Sequence, residues 1–163
     1  FLIPSGPLRN RLSSLKDFDA VFLNGNEENN FEIRETIKKS NQNIKIFETS
    51  YEIINLKKLD RNGRYIIFSG IGNPESFSKT LKRYNFNIIK ELNFPDHYKY
   101  LDKDIMQIKE TAKKYNVQIL TTEKDFIKIN LDYSNDINYV KIELRIKEEE
   151  RLIKFLKNSL WIQ

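Results

Sequence analysis

The chain has 163 residues, of which 39% are hydrophobic and 31% charged, and its formal net charge is +5. This composition is typical of a folded globular protein and excludes a disordered or collagen-like chain. No apolar run approaches the roughly eighteen residues of a membrane-spanning helix. The chain has no cysteine, which excludes disulfides and thiolate metal sites. We therefore expect a protein of a reducing compartment, with the cytoplasm as the default.

The positive charge by itself does not identify a partner. A basic balance of this size can attract nucleic acid, anionic lipid or a phosphorylated substrate. The sequence contains no recognised nucleic-acid-binding motif, and its basic residues form no stripe with interleaved aromatic residues. We therefore expect no nucleic-acid partner.

The first third of the chain predicts one strand–helix–strand unit. The run DAVFLNG (19–25) indicates a buried strand that ends in a turn, FEIRETIKK (31–39) has helical spacing, and IKIFET (44–49) returns to strand. The stretch 51–63 is polar towards its end and closes with the turn residues DRNG, which predicts a connector.

The rest of the chain continues the alternation of strands and helices. Pro74 is well placed in the first turn of a helix. The predicted elements are a strand at 65–68, a helix at 75–84, a strand at 87–94, a helix at 102–115, a strand at 117–123, a short helix or turn at 123–129, a last strand at 137–144 and a helix at 147–160. This alternation predicts a three-layer α/β/α fold with a mostly parallel sheet.

Three unusual stretches follow predicted strands, at the edge where open α/β sheets bind ligands. They are SGIGNP (69–74), FPDHYKY (94–100) and TTEKD (121–125). The first does not match the phosphate-binding pattern G-x-x-x-x-G-K-[ST], because Phe77 and Ser78 stand where glycine and lysine should follow Gly72. We interpret it as a tight turn between a strand and a helix.

The other two stretches each allow a structural and a functional interpretation. His97, the only histidine of the chain, is either a half-exposed loop residue beside a turn capped by Asp96 or a catalytic imidazole with a neighbouring carboxylate. In TTEKD, Thr122 is expected to cap a helix, with Lys124 either free in solvent or part of a charged rim that binds substrate or phosphate. We select Asp96 and His97 as candidate catalytic residues and Lys124 as a candidate phosphate-binding residue.

A turn bracketed by prolines, IPSGPLRN (3–10), precedes the first predicted strand and presents Arg9. The planar guanidinium group of arginine is well suited to binding phosphate. Arg9 is therefore a further candidate phosphate-binding residue, although an ordinary surface arginine after a turn is an equally simple interpretation.

Taken in order, five blocks of the sequence resemble the latter half of the tetraacyldisaccharide 4'-kinases, the lipid A 4'-kinases of Gram-negative bacteria. These blocks are PSGPLR, LKDFDAVFLNG, SGIGNPESF, FPDHYKY and TTEKD, and their order and spacing match from the first residue to nearly the last. The resemblance implies that residues 1–50 are the C-terminal part of a P-loop kinase domain and that 64–163 form a smaller C-terminal α/β domain. Residues 51–63 would be the connector between the two domains. It implies that the chain is a fragment of a longer protein.

The resemblance also assigns roles to residues. It implies that His97, in the Asp-His motif with Asp96, works with an upstream aspartate, and that Arg9 lies near the phosphates. Family members commonly carry glutamate where this chain has Asn10. The cofactors implied are ATP and Mg²⁺, held mainly by an N-terminal P-loop segment outside this chain, so we expect no metal ligands here.

The implied reaction transfers the γ-phosphate of ATP to the 4'-hydroxyl of a tetraacyldisaccharide 1-phosphate. The substrate is a lipid, so the resemblance implies a cytoplasmic enzyme that contacts the inner membrane peripherally. This fragment alone is then expected to be inactive. The alternative from the residues alone is a non-catalytic α/β binding module with a basic surface.

Overall fold

A computed structural model describes residues 10–24 and 27–160 of the chain. Their contacts divide them into two compact units. The first unit contains the described residues of Phe1–Tyr51 and Leu144–Gln163, and the second contains Glu52–Glu143. In the described part, no helix is both long enough and apolar enough to cross a membrane.

The elements alternate along the chain much as the sequence predicts. The strands are β1 (Ala20–Asn24), β2 (Lys45–Ile53), β3 (Arg64–Ser69), β4 (Asn87–Asn93), β5 (Gln118–Thr122), β6 (Ile137–Val140) and β7 (Ile142–Ile146). The α-helices are α1 (Glu27–Ser40), α2 (Pro74–Arg83), α3 (Asp102–Tyr115), α4 (Glu123–Phe126) and α5 (Glu149–Leu160). Short 3-10 helices lie at Leu12–Asp17, Leu56–Lys58 and Leu131–Tyr133.

The first unit is built on a three-stranded sheet with the strand order β1-β2-β7. β1 and β2 are parallel, and α1 connects them. Neighbouring residues of a strand point to opposite faces, so β2 contributes to packing on both faces. Ile46 joins the apolar cluster that includes Ile37 of α1, whereas the Phe47 ring lies 5.6 Å from the Phe155 ring of α5.

The second unit is built on a four-stranded parallel sheet with the strand order β4-β3-β5-β6. The central strand β3 is buried on both faces. Tyr65 and Ile67 pack in one apolar cluster with Leu81 of α2, and Ile66 and Phe68 pack in the other cluster with residues of α3. Helices therefore cover both faces of a parallel sheet, which confirms the predicted three-layer α/β/α fold.

The prediction of one strand at 137–144 is wrong, because the strand is interrupted at Lys141. The two parts, β6 and β7, belong to different sheets. The side chain of Asn55 binds both sides of this break. Its Nδ2 donates to the carbonyl oxygen of Tyr139 at 2.8 Å, and its Oδ1 accepts the N–H of Lys141 at 2.9 Å. These bonds replace sheet hydrogen bonds at the position where the chain leaves the second unit's sheet.

The expected domains stay a prediction, and the two compact units of this chain have other limits. β2 continues to Ile53, so the start of the predicted connector 51–63 is strand, and the boundary between the units falls at its beginning. At the other end, β7 and α5 belong mostly to the first unit rather than to a domain spanning 64–163. The reason is physical, since β7 lies beside β2 and the N–H of Lys147 donates to the carbonyl of Glu48 at 3.0 Å.

Candidate functional site

The candidate site lies in the second unit, at the carboxyl ends of β4, β3 and β5. These strands are parallel neighbours, so the segments that follow them meet at one edge of the sheet. The three segments are 70–73 after β3, 94–101 after β4, and 123–126 after β5. They contain most of the three unusual stretches SGIGNP, FPDHYKY and TTEKD.

Aromatic rings of the segment 94–101 pack against one another and against a ring of β3. The Phe94 ring lies 4.9 Å from the Tyr98 ring and 5.1 Å from the Tyr100 ring, and Tyr100 stands edge-on to Phe68 of β3 at 5.3 Å. Such tilted and edge-to-face ring contacts stabilise a loop in one conformation. The segment is thereby packed against the strand that precedes the glycine turn.

Asp104 in the first turn of α3 holds the other end of this segment. Its carboxylate accepts hydrogen bonds from the Tyr98 hydroxyl at 3.1 Å and from the backbone N–H of Leu101 at 2.9 Å. The hydrogen bond to the carboxylate raises the pKa of Tyr98 above its usual value, because it stabilises the protonated phenol. The loop is therefore fixed on both sides of its tip.

His97 forms the tip of this loop, and its side chain is 76% exposed. Its backbone has a φ of 59°, in the left-handed region that few residues other than glycine adopt. Its N–H donates to the carbonyl oxygen of Gly70 at 3.2 Å and to Oδ1 of Asp96 at 2.9 Å. The backbone is thus held while the imidazole remains accessible to a ligand.

Asp96 lies between two cationic or potentially cationic side chains. His97 Nε2 is 3.8 Å from Oδ2 of Asp96, and Lys124 Nζ is 4.0 Å from Oδ1. The structure therefore brings together three of the four residues selected from the sequence, whereas Arg9 lies outside the described residues. An accessible imidazole, carboxylate and ammonium group can together relay a proton and bind an anionic group.

The sequence did not reveal the role of Asp125, whose side chain is fully buried. Thr122 caps α4 as predicted, since its hydroxyl oxygen accepts the N–H of Asp125 at 3.0 Å. The Asp125 carboxylate in turn accepts from the Thr122 hydroxyl at 2.8 Å and from Lys128 Nζ at 2.6 Å. The spacing Thr-x-x-Asp after a strand was the available signal, but it indicates only a helix cap and not burial.

Tyr100 packs beside Asp125 and Gly70. Burial raises the pKa of Tyr100 far above its usual value, and the negative charge of Asp125 adds to the rise. The tyrosine therefore remains a neutral phenol, and Lys128 Nζ lies 5.8 Å from the centre of its ring. Its ring packs against Phe68 of β3 and Phe94 of the loop.

Within residues 10–24 and 27–160, no group of three His, Cys, Asp or Glu side chains could hold a metal ion. The glycine turn after β3 also lacks the spacing of a P-loop, as noted from the sequence. The described residues therefore provide a charged edge without a P-loop spacing and without a group of three metal-ligating side chains.

The fold defines an α/β protein with a parallel sheet, and charged side chains lie at the carboxyl edge, where open α/β sheets bind ligands. Comparison with known families places it more narrowly. The family described as tetraacyldisaccharide-1-P 4'-kinase matches residues 1–161. The chain belongs to this family, as the resemblance in the sequence indicated.

Curated relatives agree with this assignment. A tetraacyldisaccharide 4'-kinase of Pelagibacter ubique is 44% identical over 150 residues, which cover 92% of this chain and 48% of the relative. The corresponding protein of Rickettsia akari is 37% identical over 160 residues, covering 93% and 45%. The chain thus spans about half the length of the curated relatives it matches.

A solved structure shares the fold. The crystal structure of LpxK from Aquifex aeolicus in complex with ATP superposes with a TM-score of 0.57 at 23% identity, over 96% of this chain and 47% of that chain. At this level of identity the similarity establishes the common fold.

Proposed function

We propose that this chain is the C-terminal part of an ATP-dependent kinase of lipid A biosynthesis. The complete enzyme transfers the γ-phosphate of ATP to the 4'-hydroxyl of a tetraacyldisaccharide 1-phosphate. The observation that carries the proposal is the family match over residues 1–161. The exposed cluster of His97, Asp96 and Lys124 at the carboxyl edge of the sheet supports it.

The roles of the cluster follow from the needs of the reaction. The acceptor hydroxyl must lose its proton as it attacks, and phosphoryl transfer otherwise depends on positioning and charge neutralisation. We propose that His97 helps to remove this proton. It acts either directly on the hydroxyl or through a carboxylate in the remaining part of the enzyme. Asp96 orients the imidazole, and Lys124 supplies positive charge for the phosphorylated substrate.

We place ATP and Mg²⁺ mainly on the part of the enzyme outside these 163 residues. The chain contains no G-x-x-x-x-G-K-[ST] segment, and the part described here provides no three-ligand metal site. Mg²⁺ would supply neutralisation of the phosphate charge. Arg9, by the position of its GPLR block, is proposed to lie near the phosphates.

The partners follow from the substrate. A tetraacylated disaccharide is anchored in a bilayer, so we propose a cytoplasmic enzyme that contacts the inner membrane peripherally. The net charge of +5 supports contact with anionic head groups.

The decisive experiment replaces His97 in the complete enzyme that contains this chain. We expect His97→Ala to lower kcat roughly 10²- to 10⁴-fold, the usual scale for an acid–base partner, with little change in the KM for ATP. The assay measures transfer of γ-phosphate from ATP to tetraacyldisaccharide 1-phosphate. Lys113→Ala is a control, because this exposed residue lies in the last turn of α3, at the opposite edge of the sheet.

The outcomes separate the alternatives. An unchanged kcat in His97→Ala removes His97 from the mechanism. A wild-type complete protein that transfers no phosphate to this lipid favours the non-catalytic binding module instead. The 163-residue chain alone serves as the negative control and is expected to show no turnover.

A further inference from the structure

Asp125 is the one charged residue among the buried side chains of the described residues, and its exposure is 0%. A buried carboxylate is costly unless donors compensate it. Three donors do so here, namely the Lys128 ammonium at 2.6 Å, the Thr122 hydroxyl at 2.8 Å and the backbone N–H of Gly70 at 3.0 Å. Lys128 and Thr122 each lie three residues from Asp125 in the sequence, whereas Gly70 directly follows the strand β3.

The contact with Gly70 connects Asp125 to the candidate catalytic loop. Gly70 donates its N–H to Oδ2 of Asp125, and its carbonyl oxygen accepts the N–H of His97 at 3.2 Å. Two consecutive hydrogen bonds therefore lead from the buried carboxylate to the backbone of His97. That backbone has the left-handed conformation, which persists only where surrounding contacts impose it.

Gly70 is packed tightly against the loop that carries His97. A Cβ atom at this position would lie 3.0 Å from the Tyr100 hydroxyl, 3.1 Å from the Pro95 carbonyl oxygen and 3.1 Å from Cβ of Tyr98. All three contacts belong to the loop that carries His97. A shift of Gly70 would therefore displace this loop directly, since no space separates them.

We propose that Asp125 is a positioning residue for phosphoryl transfer, which acts through Gly70 to hold the backbone of His97 at the carboxyl edge of the sheet. This inference rests on the proposed function. Asp125 itself is fully buried, so we assign it no direct contact with the substrate. The simpler alternative is that Asp125 only stabilises the cap of α4, through its reciprocal bonds with Thr122.

The test is a double-mutant cycle in the complete enzyme. Asp125→Asn keeps the size of the side chain but removes the charge that the three donors share. We expect kcat to fall on the order of 10- to 100-fold, the scale for a small misplacement of a reacting group, with the KM for ATP nearly unchanged. Because Asp125 acts through His97, the Asp125→Asn, His97→Ala double variant should have the kcat of His97→Ala alone.

Thr121→Val is the matched control. Thr121 is buried in β5, the strand that directly precedes α4, but its hydroxyl donates to the carbonyl of Phe68 at 2.7 Å rather than to the Gly70 turn. It should lower the melting temperature while leaving kcat unchanged. If Asp125→Asn and His97→Ala instead reduce kcat independently, so that their effects multiply in the double variant, the proposal is overturned.

Hydrogen exchange keeps this inference separate from the function on which it rests. Asp125→Asn should speed amide exchange in the segment 94–100, and Thr121→Val should not. Faster exchange in a protein whose kcat does not depend on His97 would retain the structural connection but overturn the proposed role of Asp125 in phosphoryl transfer. A complete protein that transfers no phosphate would instead contradict the proposed function. Unchanged exchange in Asp125→Asn would overturn the inference even in an active kinase.

Gly70→Ala decides the question if Asp125→Asn does not fold. The three nearest neighbours of the added methyl group all lie in the His97 loop. We expect the same loss of kcat, again without a further loss in the presence of His97→Ala. A Gly70→Ala enzyme with wild-type kcat would show that this connection does not position His97.

Discussion

Single side chains decide where backbone segments end in this protein. Asn55 mimics a peptide group by binding the Tyr139 carbonyl oxygen and the Lys141 N–H, at 2.8 and 2.9 Å. An apolar run from 137 to 144 reads as one strand because periodicity reports only which residues are buried. The position at which the run changes sheets depends on a residue more than eighty positions earlier in the chain.

Removing the Asn55 side chain should therefore destabilise the second unit. Asn55→Ala leaves the Tyr139 carbonyl and the Lys141 N–H without these partners, and we expect a loss of about 1–3 kcal/mol in free energy of unfolding. Native-state hydrogen exchange of the β5 and β6 amides measures it. Asn62→Ala, at an exposed turn position, is the control and should change stability by less than about 0.5 kcal/mol. Equal effects of the two substitutions would contradict this role of Asn55.

At the scale of elements, α3 was the most predictable part of the fold. Its acidic start and its stripe of Ile105, Ile108 and Ala112 lie within one continuous segment, and the observed helix has the predicted bounds 102–115. Local signals are sufficient where a helix carries its own cap and a single apolar face. They are insufficient for β7, whose pairing with β2 joins segments about one hundred residues apart.

Glu48 of β2 makes charged contacts with two other segments of the first unit. Its carboxylate accepts from Lys147 Nζ at 3.0 Å and from the Arg34 guanidinium of α1. The hydrogen bond from Lys147, with a further contribution from Arg34, lowers the pKa of Glu48 below its ordinary value of 4.5 despite the opposing effect of burial. The folded protein therefore binds this proton less tightly than the unfolded chain.

This shift predicts a specific dependence of stability on pH. Because the pKa is lower in the folded state, Glu48 stabilises the protein fully above the ordinary pKa, and this contribution disappears as the pH falls through the lower folded-state value. We expect Glu48→Gln to destabilise the first unit near neutral pH, by roughly 1–2 kcal/mol. The difference between wild type and variant should begin to shrink as the pH falls below about 4.5 and should vanish below the lower folded-state pKa. Urea denaturation at a series of pH values measures the difference, and a difference that is constant with pH would contradict the prediction.

At the scale of the whole molecule, the chain passes from the first unit to the second near Tyr51 and returns near Leu144. A domain assignment by contiguous segments cannot anticipate such a return. The family match extends over both units, which is why the sequence blocks identified the family although the expected domain limits differ from the observed units.

The proposed membrane contact is also a property of the whole molecule. The net charge of +5 on these 163 residues predicts that this part of the enzyme is attracted to anionic bilayers, and that the attraction weakens as salt screens it. We expect the complete enzyme to sediment with vesicles that contain an anionic phospholipid more than with purely zwitterionic vesicles, and to be released as the NaCl concentration rises. Equal binding to both kinds of vesicle at low salt would show that charge does not drive the contact.

The sequence by itself determined the alternation of strands and helices, the parallel α/β class and the family, because each depends on local periodicity or on the order of short blocks. It also selected His97, Asp96 and Lys124, since unusual residues after buried strands are visible along one dimension. Only the tertiary structure decided that Asp125 is buried beside the glycine turn and that β7 pairs with β2 in the sheet of the first unit. Those features depend on which distant segments pack together, and burial and hydrogen-bond partners arise only when the chain is folded.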